Sequence, residues 1–155
     1  MASSIVKKDV IDGDPLVSYQ YELSIDGIQN LYFTEISGLG SETEVIEHKV
    51  VTKGGKEVIR KIPGRLKWGD LTLKRGLTAN MELWEWRKEV EDGKVDKARR
   101  NGTIKVYDRN NTPVAEWTFV KGWPSNLSGP SLGADSNEVA VEELTIVHEG
   151  IQRKT

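Results

Sequence analysis

The spacing of apolar residues changes period once in a single stretch, Leu71 to Val90 (LTLKRGLTANMELWEWRKEV). Leu71 and Leu73 alternate with Thr72 and Lys74, as in a strand with one apolar face, and Gly76 ends the pattern. Beyond it Ala79, Leu83, Trp86 and Val90 recur at steps of four, three and four, which predicts one apolar stripe along a helix. Thr78 or Asn80 is placed to cap that helix, Glu82 sits near its positive end, and Asp92-Gly93 stops it. Trp84 falls about 100° off the stripe, at its margin or against another surface.

Elsewhere the period is two. Val17, Tyr19, Tyr21, Leu23 and Ile25 alternate with Ser18, Gln20, Glu22 and Ser24, and Asp26-Gly27 predicts a tight turn into a second strand over 28–36. Glu42 to Val51 is a third strand in which Val45 and Ile46 are adjacent, so apolar groups reach both faces. Such a strand is buried on both sides or changes face through a bulge. Lys53-Gly54-Gly55-Lys56 forms a basic tip and Glu57 to Ile62 returns from it, making 41–63 a long hairpin with little core at its tip. Further strands are predicted at Thr103 to Tyr107, at Pro113 to Val120 with Ala115, Trp117 and Phe119 on one face, and at Asn137 to His148. In the last of these the parity flips across Glu142-Glu143, suggesting a bulge or a strand shared between two walls. Lys121 to Ser136, rich in Gly, Pro and Ser, reads as a long loop. The sum is a mainly β fold, a small antiparallel barrel or sandwich of about seven strands with one flanking α-helix. An arm over 1–14, a barrel domain over 15–151 and a tail over 152–155 complete the expected organisation.

Composition narrows the function classes. A chain of 155 residues suits one domain, and with no cysteine there is no disulfide, thiol nucleophile or cysteine metal site. The net charge of −2 comes from 22 basic and 24 acidic residues in interleaved order, with no pull toward nucleic acid or an anionic membrane. Residues 1–14 lack a secretory apolar region and no run of about 18 apolar residues occurs, so the expectation is a chain without a signal peptide or membrane anchor, whose export would use another route.

Catalytic patterns are missing. His48 and His148 are the two histidines and neither belongs to an HExxH pair; GxSxG, GxxxxGK[ST] and GxGxxG are absent. Glu142 and Glu143, being adjacent on a strand, point to opposite sides and cannot face one another. The basic residues Lys94, Lys97, Arg99 and Arg100 stand among Glu91, Asp92 and Asp96, as on a solvated face. Of five tryptophans, Trp86 and Trp117 take core positions by period, while Trp68 and Trp123 are open enough to hold a ligand. A monomeric β-sandwich that binds carbohydrate or another small ligand through Trp68 or Trp123 is therefore the alternative reading. Two-faced strands, a long hairpin and a long loop favour protein assembly over catalysis, with no cofactor and no metal.

The order of motifs DPLVSYQYELSIDG, FTEISGLGSETEVIEH, IPGRLKWGDLTLKRGLT, ELWEW, PVAEWTFVKGWP and GPSLGADSNEVAVEELTIVHEGI resembles the tail tube proteins of contractile phage tails and extracellular contractile injection systems. More distantly it is similar to the hemolysin-coregulated tube protein of type VI secretion. The resemblance implies a barrel protomer in six-membered rings, stacked as a hollow tube inside a contractile sheath that drives it through a target envelope. It also implies baseplate or spike and tube-terminating proteins as partners, and room for cargo in the lumen. Placed on this chain, the hairpin positions Glu42, Glu44, Lys53, Gly54, Gly55 and Lys56, together with Trp123, are the candidates for inter-subunit and ring-stacking contacts. Ser18, Gln20, Glu22, Thr72 and Lys74, on wet strand faces, are the candidates for the lumen.

Overall fold

In the computed structural model, which describes residues 20–78, 80–130 and 140–155, the alternating segments become antiparallel strands. The arm over 1–14, Ser18, Ala79 and Val139 lie outside the described residues. Strands β1 (Gln20–Ile25) and β2 (Ile28–Phe33) form the hairpin that Asp26-Gly27 predicts, with Gly27 at a φ of 81°. After β3 (Glu35–Ser37) come β4 (Ser41–Val51), β5 (Glu57–Trp68) and β6 (Leu71–Gly76), then the helix α1 (Glu82–Glu91) and the one-turn α2 (Val95–Ala98). The chain finishes with β7 (Arg100–Tyr107), β8 (Pro113–Ser128), β9 (Val141–Val147) and β10 (Gly150–Arg153).

The main sheet has the order β2-β1-β7-β8-β9-β6-β3, with β10 added to β8. Its two ends are joined, because β2 and β3 are halves of one bent run separated by Thr34, whose N–H donates to the Lys74 carbonyl at 2.9 Å. The sheet thus closes into a barrel and leaves few edges of its own unpaired. Leu23, Leu31, Phe33, Leu71, Leu73, Ile104, Phe119, Leu144 and Ile146 fill it. Burying side chains of this kind contributes on the order of 1.5–3 kcal/mol each.

Helix α1 lays Leu83 and Trp86 on this core. The Asn80 Oδ1 accepts from the Glu82 N–H at 2.8 Å, so of the two predicted caps Asn80 serves the first turn. Trp86 donates its Nε1–H to the Ala98 carbonyl at 2.7 Å and thereby fixes α2 beside α1.

Three expectations need correction. Residues 121–128, read as the start of a loop, continue β8: it pairs β7 as far as Gly122, opposite Arg100, and then crosses to β9 from Trp123 to Ser128. The loop-like residues are what the crossing needs, since Lys121 bends the backbone at a φ of 51° and Pro124 sits at a register shift where a missing N–H is tolerated. A Cβ on Gly122 would overlap the Phe119 ring. The parity flip at Glu142-Glu143 is not a bulge either. Pairing of β9 with β6 runs without a shift from Leu71↔Ile146 to Gly76↔Val141, so Glu142 points inward in phase with Leu144 and Ile146. Finally, the mainly β antiparallel fold stands, but among the described residues ten strands and a second short helix are found where about seven strands and one helix were expected. The surplus arises where one predicted strand bends at Thr34 and where the chain after Ile151, expected as a tail, pairs through Arg153 with Trp117.

Candidate assembly surfaces

Among the described residues, β4 and β5 form a separate two-stranded sheet that pairs with no other strand. Its faces follow from register. Ile46–Ile62, His48–Arg60 and Val50–Val58 stand opposite one another on one face, while Val45, Glu47–Lys61, Ile59 and Val51 share the other. The adjacent Val45 and Ile46 therefore do reach both faces, with a register shift between Thr43 and Val45, yet neither face is covered. Val45 is 63% and Val51 68% exposed, and Ile46, Ile59 and Leu66 are more than half exposed. An isolated two-stranded ribbon is marginal in water, and apolar residues on both its faces exceed what a monomer needs.

The ribbon is anchored at a glycine-lined root. Gly69 donates its N–H to the Gly40 carbonyl at 3.1 Å, and Gly38, at a φ of 86°, lies so close to Asp70 that a Cβ would overlap the Asp70 carbonyl. His148 secures this root from below. Its Nε2 bonds the Gly69 carbonyl at 3.1 Å and its Nδ1 accepts the Gly150 N–H at 3.2 Å, the arrangement of a neutral ring protonated at Nε2. Burial lowers its pKa from the ordinary 6.5, against smaller upward pulls from the Gly69 carbonyl and Asp70.

At the predicted contact sites, Glu42 lies beside the root, Glu44 pairs with Lys67 at 2.9 Å, and Lys53, Gly54, Gly55 and Lys56 form the exposed tip. The tip turn closes through the Thr52 N–H to the Lys56 carbonyl at 3.0 Å, with Gly55 at a φ of 77°. Trp123 is elsewhere, half-buried against the core on β8.

The predicted lumen positions fall into two groups. Thr72 and Lys74 lie on the outward face of β6, in register with Thr145 and Glu143 of β9 and with Ser37 and Glu35 of β3, a continuous polar strip. Gln20 is exposed at the start of β1, but Glu22 is only 6% exposed. It accepts from Asn30 Nδ2 at 2.6 Å and from the Tyr107 hydroxyl at 2.5 Å, so it is not an open wet position in this protomer. The Glu22 hydrogen bond, then burial, push the Tyr107 phenol up to about 12.

One site escaped sequence reading. Arg75 Nε donates to Glu142 Oε2 at 2.9 Å with side chains 6% and 2% exposed, and Trp84 Nε1 donates to the other carboxylate oxygen at 3.0 Å. The off-stripe Trp84 thus meets the barrel rather than solvent. The signal was present: Arg75 continues the inward phase of Leu71 and Leu73, Glu142 that of Leu144 and Ile146, and the two charges are opposite.

The remaining chemistry disperses. Glu89 holds Arg100 at 3.2 Å and Lys97 at 3.9 Å, and Arg99 pairs with Asp96 at 2.7 Å, so three of the four basic residues of this cluster are neutralised locally. His48 stands on the ribbon and His148 under its root, and among the described residues no group of three or more His, Asp or Glu is placed to hold a metal. Among those residues no helix is long and apolar enough to cross a membrane.

Comparison with known proteins places this architecture. The family described as T4-like virus tail tube protein gp19 matches residues 17–152. The tube-bearing sheath–tube complex of the extracellular contractile injection system PVC, in its extended state, contains a chain 24% identical that superposes with a TM-score of 0.76, covering 99% of this chain and 97% of that one. A chain of the anti-feeding prophage cap is 23% identical at a TM-score of 0.71, covering 98% and 99%. Hcp1 from Flavobacterium johnsoniae shares the fold at 15% identity and a TM-score of 0.53, covering 87% and 94%. No curated protein matches the sequence.

Proposed function

Since the chain belongs to the T4-like virus tail tube protein family and is a tail tube subunit, we propose that it works as a non-enzymatic protomer whose ribbon β4–β5 is finished by neighbouring copies in stacked six-membered rings. The observation that carries this is the ribbon itself: a separate sheet, exposed on both faces, bearing Val45, Ile46, Val51, Ile59 and Leu66. A contact between unlike surfaces that closes gives a ring, and contacts between rings extend it into a tube. The tip Lys53 to Lys56 and the root residues Glu42 and Glu44 carry ring-to-ring contact, and the strip of Thr72 and Lys74 faces the lumen, where a polar wall does not retain passing cargo. A contractile sheath, a baseplate and a terminating cap are the partners that such a tube requires, and the PVC and anti-feeding prophage structures of matching fold are named for a sheath–tube complex and a tube-terminating cap. The particle is assembled in the bacterial cytoplasm.

Negative-stain microscopy of the concentrated protein tests the proposal: rings or tubes are expected, and a monomer at every concentration, with or without sheath and baseplate partners, would overturn it. Deleting Lys53 to Lys56 is expected to leave a folded protomer that forms rings with impaired stacking. A deletion that unfolds the protomer while surviving tubes look normal removes the tip from the contact.

A further inference from the structure

Both histidines of the chain belong to the ribbon. His48 stands on β4 directly opposite Arg60 of β5, on the face that carries Ile46, Val50, Val58 and Ile62. His148 lies under the root, where β5 gives way to β6 and just before β10 begins. Histidine is the side chain whose charge ordinarily changes between about pH 5 and 8. The one detached sheet of the described residues therefore carries the chain's histidines along its length and at its base.

The His148 ring has no place for a second proton. Its Nε2–H is committed to the Gly69 carbonyl at 3.1 Å, and its Nδ1 accepts the Gly150 N–H at 3.2 Å. A proton on Nδ1 would set one donor against another with no acceptor between them. The ring must then turn or withdraw, in a space bounded by the rings of Trp68 from β5 and Phe119 from β8, whose centroids lie 6.2 and 6.1 Å away. Gly69 leads out of the ribbon and Gly150 opens β10, so this ring is the tie between ribbon root and barrel.

The charges around the tie are few. Asp70, in the turn after β5, favours a protonated ring, but burial outweighs it and holds the pKa below 6.5. Glu149, next in the chain, is paired with Lys121 of β8 at 3.5 Å. Lys154 shares a hollow with Trp68 beyond β10, and Glu42 and Lys67 line the root beside Gly69. On the ribbon itself Glu47 stands opposite Lys61 on the other face, away from His48. A proton on His48 would place a second positive charge across from Arg60, and like charges directly opposite weaken a strand pair. The two histidines thus act in the same direction.

We infer that the ribbon is a pH-sensitive arm: with both histidines neutral it is held to the barrel in one direction, and protonation of His148, reinforced by His48, unties its root, so that copies assemble at neutral pH and not in acid. The inference rests on the tube-subunit reading and adds a control to it.

The absence of cysteine allows clean labelling. Spin labels on Lys53→Cys at the tip and Asn110→Cys in the exposed β7–β8 turn read the direction of the ribbon as a distance distribution, with labelled chain diluted in unlabelled chain so that distances within one copy are seen. The distribution is expected to be narrow at about pH 7.5 and about twofold broader at about pH 5.5. The fraction of chain in rings or tubes by microscopy should fall over the same range. In His148→Gln, which takes up no proton there, the distribution should stay narrow at both values; if circular dichroism shows that variant unfolded, the unsubstituted profile decides alone. An unchanged distribution, a broadening that sets in only near pH 4 where carboxylates ordinarily titrate, or equal broadening in folded His148→Gln overturns the inference. So do tubes that form equally well at both values. A chain that broadens in acid but forms no rings or tubes at any pH removes the tube reading and the assembly half of the inference, and leaves the acid-sensitive arm.

Discussion

The barrel and the ribbon are both made of antiparallel strands from one chain, yet they stand in opposite relations to water. In β6 and β9 every second side chain points inward and is buried, and the sheet closes on itself through the bend at Thr34. In β4 and β5 apolar residues stand on both faces and hardly one is covered. Strict alternation gives a strand a single wet face, so one chain can finish it; apolar groups on two faces leave a surface that only another molecule can finish. With the ribbon as the assembly surface proposed above, fold stability and assembly fall to different residues, and substitutions should separate them.

The largest effect on the protomer is expected at the buried ion pair. Glu142→Ala strands Arg75 and frees Trp84, and should lower unfolding stability by about 3–5 kcal/mol as measured by denaturant midpoint. Loss of under about 1 kcal/mol would mean the pair is as dispensable as an exposed one. Next is Gly38→Ala at the ribbon root, where a positive φ and overlap with the Asp70 carbonyl predict a cost of about 1–3 kcal/mol. A neutral result there would show that the root yields easily and the ribbon is loosely hinged.

These two sites also mark the limits of reading the sequence. The helix, the first hairpin and the ribbon were legible, because each repeats one period or carries a tight turn signal such as Asp26-Gly27. The second half of β8 was not, because Gly122 and Pro124 announce a loop and a bent strand with the same letters. Arg75 and Glu142 were not, because a charged residue in the apolar phase of a strand looks like a break in the pattern until its counter-charge on the neighbouring strand is known. Glu22 was assigned to a wet face by type, and only the positions of Asn30 and Tyr107 reveal that it is covered. Of the candidate contact surface, the ribbon is legible, because its two strands flank a basic, glycine-containing turn signal at Lys53 to Lys56.

A smaller effect belongs to pH. His148 has a folded pKa below 6.5, so its neutral form is favoured by folding; the contribution is present above pH 6.5 and is lost as pH falls toward the lowered value, when Nδ1 gains a proton and can no longer accept from Gly150. Between pH 7.5 and 5.5 the wild-type midpoint should fall more than that of His148→Gln. Parallel curves would remove His148 from the ribbon root. For Tyr107 the sign is reversed: stability present below pH 10 is lost as pH rises toward about 12, and absorbance titration should find one late tyrosine that Glu22→Gln brings forward.

The smallest effect on folding is expected where the effect on assembly is greatest. Ile46 and Ile62 face each other across the ribbon and are 52% and 42% exposed, so replacing both with serine removes little that the protomer buries. Exposed substitutions of this kind stay within about 0.5 kcal/mol, and the unfolding midpoint of Ile46→Ser, Ile62→Ser should stay close to wild type. Assembly should nonetheless be lost, because the same side chains are those the ribbon has to offer a neighbour. The variant divides the two regions cleanly. A large drop in midpoint would mean that the ribbon is held to the barrel by contacts beyond its root, and unchanged tubes would mean that its apolar faces are not what neighbouring copies grip.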